Sequence, residues 1–264
     1  MAYLTTVDDV ADPRVDDYRD LTAADRRPDR PGGRGLVIAE GVVVVRRLLD
    51  SPYPVRSLLG VPRRLAELDL SGVDAPAYAT DADTMSRIVG FHLNRGVLAV
   101  ADRAPTPSVE ELAMGRLLAV LEGVNDHENL GALFRNAAAL GVDGVLLGPR
   151  CADPLYRRSD RVSMGHVLRV PFAPVPEPWP AALTALDHTV VALTPAADAV
   201  PLAAAGLAGR RVALLLGAEG PGLSDEALEA AHLRVRIPMA TGVDSLNVAT
   251  AAAVAFHAAA APLS

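Results

Sequence analysis

From Leu36 onward, short apolar runs alternate with amphipathic ones. LVIAEG, VRSLLG, APAYAT and GVLAVA have the length and β-branched content of strands, and VVVVRRLLD, PRRLAEL and DADTMSRIVG between them have helical spacing. Together they predict a compact α/β domain ending near Ala101. DRAPTPSVEELAMG, residues 102–115, carries two prolines and then polar residues, and is the linker candidate. Beyond it the βα rhythm resumes. RLLAVLEGV, VDGVLLG, TVVALTP and RVALLLG read as buried strands, while Leu130, Leu133, Phe134, Ala137 and then Leu140 or Gly141 keep helical spacing. SDEALEAAH reads as a helix with Ser224 as its cap and acids at its positive end. Such runs predict a parallel sheet covered on both faces, with ligands beyond the carboxyl ends of its strands. Chain-topology rules alone make that sheet unknotted.

Near the end of the chain, Val235 to Met239 reads as a strand end, Ala240 to Asp244 as a turn, and Ser245 as the N-cap of a helix starting at Ser245 or Leu246. From Ala249 to Ala261 this helix has no charged face, which predicts burial in a core or a dimer interface. Residues 1–34 are charged and break into Pro and Gly. They predict a short helix and an arm whose Arg26, Arg27, Arg30 and Arg34 meet either phosphates or neighbouring aspartates.

Composition narrows the chemistry. All 25 basic residues are arginine, so a P-loop, a Schiff-base enzyme and a protein kinase, each of which needs a lysine, are excluded. At 264 residues there is room for two domains. The net charge of −7 argues against a nonspecific nucleic-acid binder and requires any RNA-facing patch to be local. Cys151 is the only cysteine, and the six histidines form no HExxH, so no metal site is expected. The acidic amino terminus lacks the regions of a signal peptide and no run is long enough to span a membrane; a cytoplasmic protein is expected.

Gly217, Gly220, Pro221 and Gly222 follow a buried strand with a spacing that is neither GxGxxG nor a P-loop, and alone they read as a structural turn. Glu219 in that turn, if buried, needs a cation or several donors. Arg135 is the expected partner, with Asn129 orienting either one. Asn247, polar in an apolar helix, serves either a neighbouring loop or a ligand.

The segment IPMATGVDSLNVATAAAVAFHA resembles the third signature motif of the SpoU/TrmH type of SPOUT RNA methyltransferases. NLGALFRNAAALG resembles the first and LLLGAEGPGLS the second, in family order across about half the chain. The resemblance implies an α/β catalytic domain at 116–264 with a knotted parallel sheet, a deep trefoil knot. A smaller amino-terminal α/β ribosomal-protein-like domain at 1–101 would bind substrate, with 102–115 as linker. It implies S-adenosylmethionine held at Leu216, Gly217, Glu219, Gly220, Ile237, Met239, Ser245 and Leu246, with Thr194 closing the pocket. It further implies a reactive corner of Asn129, Arg135, Glu219, Ser245 and Asn247, methyl transfer to a ribose 2′-hydroxyl of ribosomal or transfer RNA, and a homodimer. Glu40-Gly41 and FHLNRGVLAVA resemble landmarks of the substrate-binding domain, and His92 and Arg95 are RNA-contact candidates or parts of a simple turn. Arg157, Arg158 and Arg161 precede the small-residue segment Ser163-Met164-Gly165, and either hold phosphates or pair with Asp153 and Asp160. Within the family the arginine matching Arg135 is treated as a base. A guanidinium pKa above about 12 makes stabilisation of a developing alkoxide the better role. Ala218 stands where many members carry Asn. A noncatalytic RNA-binding protein of the same fold is the rival reading, and retention of Arg135, Glu219, Ser245 and Asn247 speaks against it. A dehydrogenase would need a dinucleotide fingerprint that EGVNDHENLG does not offer.

Overall fold

The computed structural model describes residues 4–19, 21, 25 and 33–260. Arg26, Arg27 and Arg30 lie outside them. Two compact units emerge, Met1–Pro105 with Asp153–Arg169, and Thr106–Ala152 with Val170–Ser264.

The first unit holds a five-stranded sheet of β1 (Leu4–Thr6), β2 (Val37–Glu40), β3 (Val55–Gly60), β4 (Ala77–Ala79) and β5 (Val97–Ala101), in the order β1-β4-β3-β5-β2. β1 and β3 run parallel to β4, and β5 runs antiparallel to β2 and β3. The expected helices form at Val42–Leu49 and Ala82–Val89. The second starts because the Asp81 carboxylate accepts from the amides of Asp83 and Thr84, and stops at left-handed Gly90. Tyr18, Ile38, Leu59, Met85 and Leu98 pack into one core, with the Tyr18 hydroxyl 2.8 Å from Ser57 Oγ. Ahead of β2, the expected short helix is a strand followed by a 3-10 helix, Pro13–Tyr18. Asp12 caps it and Pro13 begins it, but Val15 departs from helical dihedrals (φ −105°) and prevents a regular α-turn. Arg34 pairs with Asp17, the aspartate alternative of the sequence reading.

The second unit carries seven parallel strands, β6 (Leu117–Glu122), β7 (Gly144–Leu147), β8 (Phe172–Pro174), β9 (Thr189–Leu193), β10 (Val200–Pro201), β11 (Val212–Gly217) and β12 (Leu233–Arg236). Their order is β10-β12-β9-β11-β6-β7-β8. β6 and β11 pair in register from Leu117↔Val212 to Glu122↔Gly217, and nearly every residue of both is buried, as uninterrupted apolar runs require. The unit boundary at Pro105 falls inside the 102–115 stretch. The rest of that stretch includes a helical turn, Val109–Leu112, closed by a Ser108/Glu111 capping box, and Leu112 packs in the second unit's core.

Two boundaries differ from expectation. β12 stops at Arg236, because Pro238 offers no amide to continue the ladder, and Ile237–Met239 belong to the following loop. The last helix is Val248–Ala259 and its N-cap is Asn247, not Ser245. Asn247 Oδ1 accepts from the amides of Ala249 (3.0 Å) and Thr250 (3.2 Å). One face of this helix, with Ala249, Ala252, Ala255 and Phe256, is buried, whereas Val254 is 41% exposed. Alanines bring it close to the helix His127–Ala139, where Asn136 Nδ2 donates to Ala249 O at 2.8 Å. At its far end Arg116 donates to Ala259 O, placing a cation at the negative helix terminus. Among the described residues no helix is long and apolar enough to cross a membrane.

Candidate active site

In the second sheet β12, β9 and β11 are neighbours, so the loops leaving their carboxyl ends converge. They enclose a cavity of about 640 Å³. Thr194, Leu216, Gly217, Glu219, Gly220, Ile237, Met239, Ser245 and Leu246 all line it, and so does Asn247. The loop after β11 doubles back on itself: the Gly222 amide donates to Ala218 O at 3.0 Å, and a Cβ on Gly217 would lie 2.3 Å from the Gly222 carbonyl carbon. Gly220 (φ +86°) and Gly222 (φ +73°) supply the left-handed backbone of the turn.

The rim of the cavity is a hydrogen-bonded trio. Asn247 Nδ2 donates to Asn129 Oδ1 and to Glu219 Oε1, both at 2.7 Å, using the two protons of one amide nitrogen. Its Oδ1 meanwhile caps the last helix. A single side chain therefore joins the first-motif helix, the second-motif loop and the last helix. Glu219 is exposed, and its partners are Asn247 and the Val248 amide (3.4 Å), not the expected Arg135. Arg135 is exposed and makes no hydrogen bond or ion pair with the described residues. The reason lies in helix geometry: six residues beyond Asn129, it is displaced about 9 Å along the axis and turned about 120° from it.

In the first unit, His92, Arg95, Arg157 and Arg161 line a cavity of about 360 Å³ together with Glu40 and Phe91; Arg158 is exposed and outside it. Arg157 Nη1 stands 3.7 Å from Glu40 Oε2, and its guanidinium lies 5.1 Å from the Phe91 ring centroid. Asp153, one of the alternative partners, carries Arg103 at 2.5 Å. Asp160 is buried, neither of its carboxyl oxygens has a hydrogen-bond partner among the described residues, and burial pushes its pKa well above its ordinary value.

Residues 116–257 match the sequence model of the SpoU rRNA Methylase family. An uncharacterised tRNA/rRNA methyltransferase of Mycobacterium tuberculosis is 58% identical over 257 residues, covering 94% of this chain and 89% of that one. The chain belongs to the SpoU family. A 23S rRNA (guanosine(2553)-2′-O)-methyltransferase of Bacillus subtilis is 28% identical over 82% of this chain and 85% of its own. The crystal structure of an AdoMet-bound rRNA methyltransferase from Sinorhizobium meliloti superposes with a TM-score of 0.80 at 26% identity, covering 97% of both chains.

One carboxylate of this SpoU-family chain carries a role that the sequence analysis did not name. Glu122, 2% exposed at the end of β6, accepts from the Ser224 amide (2.9 Å) and from Arg150 (3.3 Å), and so anchors the base of the glycine loop. The signal was present in LLAVLE, an acid ending a wholly apolar strand, which must find donors when buried. Glu40 ends β2 in the same way, and Asp160 shares its helix with Arg157 and Arg161. Cys151 Sγ donates to Leu121 O at 3.3 Å, and burial raises its pKa. Among the described residues no three His, Cys, Asp or Glu side chains gather as a metal site would need.

Proposed function

We propose that this protein transfers a methyl group from S-adenosylmethionine to a ribose 2′-hydroxyl of ribosomal or transfer RNA. The observation that carries this is the convergence of the loops after β9, β11 and β12, two of them holding the second and third motifs, on one cavity, with Asn129 of the first-motif helix tied to its rim through Asn247 beside Glu219. The residues fit the cofactor. Leu216, Ile237 and Met239 offer apolar walls to an adenine, Gly217 and Gly220 leave backbone groups open, and Ser245 and Thr194 add hydroxyls. When bound, S-adenosylmethionine supplies a methyl group on a sulfonium, an electrophile needing only an oriented nucleophile.

The chain's own residues provide that orientation. Asn247 holds Glu219 and Asn129 in fixed positions, so the rim is organised before substrate arrives. Arg135, whose donors no described residue uses, positions the 2′-hydroxyl and stabilises negative charge developing on its oxygen. The hydroxyl proton leaves to solvent. Ser245 completes the corner. Arg157, Arg158, Arg161, His92 and Arg95 contact RNA, mainly its phosphates.

Residues 1–101 serve as the RNA-binding domain, 102–115 as linker and 116–264 as the methyltransferase domain with a trefoil knot. Insertion of the late strands β11 and β12 inside the sheet, not at its edge, supports the knotted reading. The active form is a cytoplasmic homodimer. Exposed Val243, Leu246 and Val254, at 49%, 38% and 41%, supply apolar surface for a second copy.

Arg135→Ala tests the assignment. S-adenosylmethionine affinity should stay within about threefold while the single-turnover methylation rate falls about 10²–10³-fold, the effect of removing one preorganised donor. Undiminished transfer would remove Arg135 from the chemistry. Arg135→Lys with a rate rising through the lysine pKa would replace electrostatic stabilisation by a base.

A further inference from the structure

The cavity of the first unit has a feature that phosphate contact does not use. Glu40 is 7% exposed, yet no hydrogen bond from the described residues reaches its carboxylate. Arg157 and Arg95 approach it only to 3.7 and 3.9 Å, beyond hydrogen-bond distance. Arg95 is pinned there: it donates to Glu40 O at 3.4 Å and packs where a Cβ on left-handed Gly41 (φ +89°) would come within 2.8 Å of it. A carboxylate that is mostly desolvated and left without direct donors is a standing acceptor for a ligand. Beside it stand a partly exposed aromatic ring, Phe91 at 39%, and the Arg157 guanidinium, both surfaces on which an unstacked base lies flat. Arg161 adds a further cation to the same wall.

We infer that this cavity is a guanine-recognition subsite, in which Glu40 accepts the two parallel N–H groups of a guanine Watson–Crick edge while Arg161 holds an adjoining phosphate. Guanine alone among the four RNA bases presents two neighbouring donors, N1–H and the 2-amino group, in the fork spacing that a carboxylate accepts from arginine. Adenine and cytosine each offer one amino donor beside an acceptor, and uracil one N–H between two acceptors. The cavity volume of about 360 Å³ lies within the range of small-ligand sites. The inference rests on the RNA-methyltransferase reading for its biological meaning, but its chemistry is separate, since none of the residues lining the first cavity lines the one around Gly217.

The test is equilibrium binding of mononucleotides to the full chain, with S-adenosylhomocysteine saturating the other cavity. Guanosine 5′-monophosphate should bind about tenfold more tightly than inosine 5′-monophosphate, which lacks the 2-amino donor, and more tightly still than adenosine 5′-monophosphate. Glu40→Gln should bring the guanosine-to-inosine ratio close to one. Since Glu40 is buried, two exposed variants keep the test independent of folding. Phe91→Ala should weaken all three nucleotides and keep their order. Arg161→Ala should weaken guanosine monophosphate while leaving guanosine itself unchanged. Equal binding of all bases would mean that a phosphate or ribose diol is the ligand, and would overturn the inference, as would absence of binding or an unchanged ratio in Glu40→Gln. Because no methyl transfer is measured, guanine preference without RNA methylation would sink the wider reading alone, and methylation without preference would sink this one alone.

Discussion

Asn247→Asp separates the two tasks of the residue that joins the motif loops. Aspartate caps a helix as well as asparagine does and suits the positive helix end, so the bonds from Ala249 and Thr250 to Oδ1 persist. What disappears are the two 2.7 Å donations to Asn129 and Glu219. In their place a carboxylate faces the Glu219 carboxylate. At about 4 Å like charges repel by about 1 kcal/mol in water and about 4 kcal/mol near a protein surface. The exposure of both groups favours the lower figure. With the two lost hydrogen bonds, at about 0.5–1.5 kcal/mol each, the total is about 2–4 kcal/mol, or a fall in Tm of about 4–16 °C. Methyl transfer should fall with it, because the rim is no longer held. The decisive arm is the double variant Asn247→Asp/Glu219→Gln. The new amide can donate to the new carboxylate, and Asn129 can turn its own amide to do the same. Thermal unfolding and S-adenosylmethionine affinity should recover by at least half, giving a coupling of about 1 kcal/mol or more in the cycle. A wild-type Tm and affinity in Asn247→Asp, or a double variant no better than the single, would refute the idea that this junction organises the site.

Gly217→Ala should cost at least tenfold in S-adenosylmethionine affinity, because its Cβ would meet backbone at 2.3–2.6 Å and the loop must shift; isothermal titration calorimetry showing unchanged affinity would contradict the tight loop geometry. Asp25 gives a pH dependence. Burial pushes its pKa from 3.8 to about 6 against the pull of the Arg157 amide and charge. The folded chain therefore binds this proton more tightly than the unfolded one, and the resulting stability is complete below pH 3.8 and lost as pH rises through about 6. Asp25→Asn should raise Tm relative to the wild type more at pH 7 than at pH 4.5. A difference independent of pH would show that the carboxyl is not held protonated.

Much of this architecture was legible in the chain because its signals are local. Uninterrupted apolar runs marked the central strands, and Ser224, with acids behind it, marked a helix start that the structure repeats. The residues expected around a cofactor meet in one cavity because each lies in a loop leaving one of three adjacent strands, β9, β11 and β12. The misreadings have equally local causes. Ser245 and Asn247 are both good N-caps two residues apart, and only the bonds made by Asn247 decide between them. β8, β10 and the helix Trp179–Thr184 are too short or too rich in proline to leave a pattern. Which charges meet was the least legible property. Arg135 and Glu219 look complementary in sequence, but the amide of Asn247 takes the carboxylate. The grouping of Asp153–Arg169 with the first unit depends on contacts far apart in sequence, such as Arg103 with Asp153 and the Arg157 amide with Asp25.

The most direct test of the central claim is to incubate the protein with methyl-labelled S-adenosylmethionine and total RNA from cells lacking its gene, then digest the RNA to nucleosides and identify the labelled one by mass spectrometry. The account predicts label in a 2′-O-methylnucleoside, absent when Arg135→Ala is used. Label on a base, or no labelled nucleoside despite measurable cofactor binding, would contradict it.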